Sequence, residues 1–212
     1  MARHSKGILG DFQGKVGTVV GSNWKNVSYM RSLPKRKKNA KQSQAQEEHR
    51  VKFRTGIRFI RALSQLLTVS YQDTGSTTSR NAALKDLMAH SIGGVYPNYS
   101  INYGTVLVAR GSLKKADNPA VMPGAVGKLF FTWTDMVGLG NGTSSNKAIL
   151  AAYCPEIGEF MFSVDGATRG DQEATLDVRF FSGKEVHTWI SFRSADGKLV
   201  ADSTYLGTVM VP

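Results

Sequence analysis

From about residue 104 to the last residue, short runs rich in β-branched and aromatic side chains recur roughly every 8 to 15 residues, separated by turn signals. The candidate strands are Thr105–Ala109, Gly127–Asp135, Lys147–Cys154, Glu159–Val164, Ala174–Phe181, Val186–Ser194 and Ser203–Val211. Asn141-Gly142, Asp165-Gly166, Ser182-Gly183 and Asp196-Gly197 lie between them, and Asn-Gly and Asp-Gly are the dipeptides that tight turns favour. Alternation shows in Leu129-Phe130-Phe131-Thr132-Trp133-Thr134 and in Thr175-Leu176-Asp177-Val178-Arg179-Phe180, so each run has one face for a core. Seven short strands with an early tryptophan predict an immunoglobulin or fibronectin-type sandwich without the cystine, with a jelly roll as the competing arrangement.

The residues before it read differently. Gly7, Gly10, Gly14, Gly17 and Gly21 punctuate the start, and Val16, Thr18, Val19 and Val20 suggest a strand over about 15–20. A turn through Gly21-Ser22-Asn23 would return the chain through about Trp24–Ser32, and Pro34 ends this hairpin. Lys35-Arg36-Lys37-Lys38-Asn39-Ala40-Lys41 follows as a solvated basic linker. An amphipathic helix is expected from Ser43, with Ser43 as N-cap, Gln46 three residues on and Glu47 and Glu48 in the first turn. Phe53, Ile57, Ile60, Leu63 and Leu67 share one face of it, while Arg50, Arg54, Arg58 and Arg61 lie within ~80° of one another on another. Gly56 then marks close packing or a bend. A second helix is capped by Thr78 or Ser79, runs to about His90 with Ala83, Leu84, Leu87 and Met88 inward, and is closed by Gly93-Gly94. Residues 95–103, held extended by Pro97, connect to the strands. The whole is an α+β chain in three parts: a basic glycine-rich hairpin arm and linker over 1–42, a helical segment over 43–103, and a β-sandwich over 104–212.

Charge divides along the same line. Residues 1–61 hold 15 Lys+Arg and 3 Asp+Glu, a net of +12, whereas residues 62–212 hold 12 and 13, a net of −1. Such a split points to a polyanion partner for the first part, because each neutralised phosphate releases condensed counterions without any reading of sequence. The expected nucleic-acid contacts are Lys25, Arg31, Lys35, Arg36, Lys37, Lys38, Lys41, Arg50, Arg54, Arg58 and Arg61. Trp24 and Tyr29 are the candidates for base stacking, with a core position the competing expectation for Trp24, and Phe53 is expected in the core.

Reaction chemistry is thin. His4, His49, His90 and His187 are scattered, no pair has metal-ligand spacing, and no cofactor is expected. Gly14-Lys15 is followed by Val16, and Leu9 stands where a phosphate loop needs glycine. Glu156 and Glu159 flank a turn, and Gly-x-Ser-x-Gly is absent, so catalysis is not expected. The lone Cys154 forms no intrachain disulfide and reads as a small buried strand residue. With neither a secretory h-region nor a long apolar run, the expected location is the cytoplasm or a particle assembled there, off the membrane.

Gly7-Ile8-Leu9-Gly10, Gly14-Lys15-Val16-Gly17-Thr18-Val19-Val20-Gly21, Trp24-Lys25 and Tyr29-Met30-Arg31-Ser32-Leu33-Pro34 together resemble the opening of a Bacteroidota protein family that carries a domain of unknown function. Ser194-Ala195-Asp196-Gly197-Lys198, Asp202-Ser203 and Tyr205-Leu206-Gly207 are similar to that family's last hairpin, so the likeness spans nearly the whole chain. It implies no activity. The basic linker, glutamine and Arg-x-x-Phe pattern is also loosely similar to small phage structural proteins. The expected function is therefore a non-enzymatic structural protein that binds DNA or RNA phosphates irrespective of sequence and self-assembles, coat-like or nucleoprotein-like. The alternative is an Ig-like recognition module for a protein or glycan.

Overall fold

The structure, a computed structural model, describes residues 3–4, 10–25, 27–34, 42–72, 74, 77–136 and 140–212. It divides into two compact units, Met1–Ser43 and Gln44–Pro212.

The first unit is a four-stranded antiparallel sheet in the order β1 (Arg3–His4), β2 (Phe12–Val16), β3 (Val19–Trp24), β4 (Val27–Ser32). This corrects the expected hairpin with its turn at residues 21–23. The first tight turn is Gly17-Thr18, where Gly17 takes φ +57 and Val16 pairs with Val19. Gly21 is instead a mid-strand residue covered by Phe12, whose carbonyl oxygen would lie 2.1 Å from any Cβ placed there. A glycine can mark such close approach as readily as a turn.

The second unit begins with helices α1 (Gln44–Ala62), α2 (Ser64–Ser70) and α3 (Ser79–His90). Thr78 caps α3, its hydroxyl accepting from the Asn81 N–H at 3.3 Å, and Ala83, Leu84 and Leu87 are buried as expected. Gly93-Gly94 does not close that helix. Both belong to a hairpin of β5 (Ile92–Val95) and β6 (Asn98–Ile101) turned at the cis Tyr96–Pro97 bond, so the expected connector at 95–103 carries its own strand.

Seven strands follow: β7 (Asp117–Pro123), β8 (Lys128–Thr134), β9 (Lys147–Cys154), β10 (Glu159–Ser163), β11 (Glu173–Asp177), β12 (Glu185–Arg193) and β13 (Thr204–Met210). They form two antiparallel sheets, β11-β8-β7 and β10-β9-β12-β13. Three strands facing four in this order make an immunoglobulin-like sandwich of the fibronectin type III kind, and the jelly-roll alternative falls away. The first strand is Asp117–Pro123 and not Thr105–Ala109. Pro119, Pro123 and a bulge at Asn118, whose φ is +45, break the alternation there, as an edge strand tolerates. Residues 105–109 instead run irregularly through the core, where the Ser203 hydroxyl accepts from the Val108 N–H at 2.9 Å. The expected strand at 174–181 also ends early, at Asp177, and a 3-10 turn over Arg179–Phe181 follows.

Even-numbered residues of β9 (Ala148, Leu150, Ala152, Cys154) enter the core between the sheets with Leu129, Phe131, Trp133 and Phe192. Odd-numbered ones (Ile149, Ala151, Tyr153) share the other core with Phe59 and Ile60 of α1, Leu63 between the helices, and Leu66 and Leu67 of α2. The unit is thus three layers deep, helices on one sheet and that sheet on the other.

Arg169 is the largest charged side chain inside, 2% exposed. Its guanidinium donates to the carbonyls of Lys114 at 2.7 Å and Lys115 at 3.1 Å and lies 3.9 Å from the centre of the Phe192 ring. Its own carbonyl accepts from Trp133 Nε1 at 2.8 Å, so this residue ties the loop before β7 to β8 and β12. Replacing it with alanine leaves two part-buried carbonyls without their donor and opens a void. Arg169→Ala is expected to lower stability by about 3 kcal/mol, read as a fall in the urea midpoint with an unchanged slope.

Candidate nucleic-acid interface

Register decides which side chains of the N-terminal sheet act together. Lys15 pairs with Val20 and Val20 with Arg31, Ser22 pairs with Tyr29, and Trp24 with Val27. Directly opposed residues share a face. Lys15, Trp24, Tyr29 and Arg31 therefore lie on one side of the sheet, and all four are exposed. Trp24 is 54% and Tyr29 44% exposed, so the expectation of a core tryptophan gives way to an accessible ring. Lys25 follows in the β3–β4 turn with φ +46 and is also exposed. Among the described residues no ion pair engages Lys15 or Arg31. Asp11, the one carboxylate of residues 1–43, accepts from Ser28 Oγ at 2.5 Å, and Ser28 belongs to the opposite face. Lys35, Arg36, Lys37, Lys38 and Lys41 lie outside the described residues.

In the second unit, Arg50, Arg54, Arg58 and Arg61 are all exposed along α1. The helix is turned relative to the expectation from periodicity. Phe53, expected in the core, is 43% exposed, whereas Phe59 is 1% exposed. The reason is Gly56: Leu84 Cδ1 and Ile92 Cδ1 lie 3.1 and 3.2 Å from where its Cβ would be, so α3 and β5 come closest at the bare backbone. That rotation brings Phe59 inward against Tyr153, Phe160 and Tyr103, at ring distances of 5.0, 5.2 and 6.0 Å. It also sets Arg54 and Arg58 on the rim of a cleft of about 740 Å3 lined by Tyr99, Tyr103, Tyr153 and Glu156.

Sequence reasoning missed Lys15 and these three tyrosines. The two-residue spacing of Gly17-Thr18 between Val16 and Val19 is the signal that places Lys15 beside Arg31. No local signal joins Tyr99 to Arg54, because their proximity depends on the tertiary packing of α1 on β6. Among the described residues there is no cluster of three or more potential metal ligands, and no helix is long and apolar enough to cross a membrane. His187 is held below its ordinary pKa by burial, stacks on Tyr103 at 3.9 Å, and its Nδ1 lies 2.7 Å from the Tyr205 hydroxyl.

One family model, described as a family of unknown function (DUF6266), matches residues 11–207. The chain belongs to that family. The matched region takes in β2–β4 of the N-terminal sheet and the sandwich as far as the middle of β13. No curated protein matches it in sequence. Among solved structures, the fn3 domain of the human collagen alpha-1(XX) chain is similar over 49% of this chain and 92% of its own, at 16% identity and a TM-score of 0.35. A computationally redesigned β-sandwich protein is similar over 48% of this chain and 94% of its own, at 13% identity and a TM-score of 0.33. A beta-1,2-glucanase from Parabacteroides distasonis is similar over 48% of this chain and 14% of its own, at 13% identity and a TM-score of 0.28.

The turned helix makes a paired expectation. Phe59→Ala should cost about 3–5 kcal/mol and Phe53→Ala under about 1 kcal/mol, measured by urea denaturation of the two variants side by side.

Proposed function

We propose that this protein binds single-stranded nucleic acid without sequence preference, several copies to a strand, through the basic aromatic face of its N-terminal sheet. The observation that carries the reading is the grouping of Lys15, Arg31, Trp24 and Tyr29 on one exposed face, in a unit whose first 43 residues hold ten basic side chains and one acidic. Flat rings on a pleated surface accept any base, and the neighbouring cations neutralise the phosphates between bases. The arginines of α1 extend the positive charge of the chain, and the neutral sandwich is the protein body, as in a coat or nucleoprotein. Neither base edges nor metal chemistry is required.

A second reading is a recognition module for a protein or glycan. It is favoured by Val126 and Phe180, 79% and 64% exposed in the β7–β8 and β11–β12 connections, since loops on a rigid scaffold carry binding residues. On that reading the protein is a discrete monomer indifferent to nucleic acid.

The test is fluorescence anisotropy with labelled oligo-dT and oligo-U across a salt series. Binding at low salt that weakens linearly with log salt is expected, and the Trp24→Ala/Tyr29→Ala variant should lose at least about tenfold in affinity, the equivalent of one lost stack. An absence of binding at low salt, or binding indifferent to the double variant, contradicts the reading.

A further inference from the structure

The cleft beside α1 has features that neither the sheet face nor the sandwich core requires. Arg54 and Arg58 stand one helical turn apart at its rim, both exposed, and no described carboxylate pairs with either. Glu156, the acid in its wall, is neutralised by the Lys184 ammonium. The site is therefore cationic, and two guanidiniums at this spacing present forked donors suited to a phosphate. Aromatic side chains also line the cleft. Phe59, Tyr103 and Tyr153 are occupied with one another, and burial pushes the Tyr153 phenol up to about 12, so it stays a neutral hydrogen-bonding group beside Tyr103. Tyr99 differs: half-buried on β6, it lines the cleft and packs against no other ring among the described residues. At about 740 Å3 the cleft falls in the range of small-molecule sites.

We propose that this cleft binds a nucleoside phosphate, with the phosphate on Arg54 and Arg58 and the base laid on Tyr99. This goes beyond the sheet-face reading, since the ligand is a single small molecule and every residue named belongs to the second unit. A cation pair with one unpartnered ring selects a ligand that carries both an anion and a planar group, and penalises either part alone.

Isothermal titration of the full chain with AMP, adenosine and inorganic phosphate tests it. AMP is expected to bind, with adenosine and phosphate each at least about tenfold weaker, and Arg54→Gln, Arg58→Gln and Tyr99→Ala should each weaken AMP by about tenfold. These side chains are exposed or half-buried, and unchanged circular dichroism of each variant shows that the fold is kept. The proposal is overturned if AMP gives no binding heat, if phosphate binds as tightly as AMP, or if the three variants bind AMP like the parent. The titration contains no oligonucleotide, so its failure leaves the sheet-face reading standing, and failure of the anisotropy experiment leaves this one standing.

Discussion

β9 and β12 form the wall between two cores, and most of the second unit depends on their being buried on both faces. Alternation sends Leu150, Ala152, Cys154, Ile190 and Phe192 toward the three-stranded sheet and Ile149, Ala151, Tyr153 and Trp189 toward the helices. An exposed side would leave the second set in water, at about 1.5–3 kcal/mol for each large side chain. The helices are thus one layer of the fold, and their absence would expose a hydrophobic sheet. The small residues Ala148, Ala151 and Ala152 set the spacing, leaving room for Phe131 and Trp133 on one side and Phe59 on the other.

This double burial also fixes the chemistry at the surface. With Phe59 and Ile60 anchored in the helix-side core and Gly56 against α3, α1 has one rotational setting. Its arginines are accordingly presented in a constant direction, two of them over a tyrosine wall. The N-terminal sheet follows another logic. Its strands carry too few apolar residues to bury a core of their own, and its Trp24 and Tyr29 rings are exposed on the face of Lys15 and Arg31. An exposed cationic surface and a buried apolar scaffold are thus divided between different segments of the same chain.

The strands of the sandwich were legible because their turns are chemically explicit. Asp196, for instance, accepts from Ser194 Oγ at 2.6 Å while Gly197 takes φ +73, as an Asp-Gly turn demands. β9 was read to the residue, its apolar run reflecting burial on both faces. Failures came where one residue type serves two ends. Gly21 looked like a turn and is a contact with Phe12, and Pro119 hid a true edge strand. Phe53 and Phe59 are both apolar positions on α1, and only the location of α3 chooses between them. The candidate site was half visible for the same reason: charge and aromatic content are properties of the sequence, whereas their common face is set by register and their cleft by packing.

Helices and sandwich share their packing through β9 and β12, and the two cores should therefore unfold as one cooperative unit. Native-state hydrogen exchange across low concentrations of denaturant measures this directly. The core amides of α1 and α2, such as Ile60 and Leu67, are expected to open with the same free energy and denaturant dependence as those of β8, β9 and β12. Exchange of the helical amides through a lower-energy opening, with β8, β9 and β12 still protected, would contradict it.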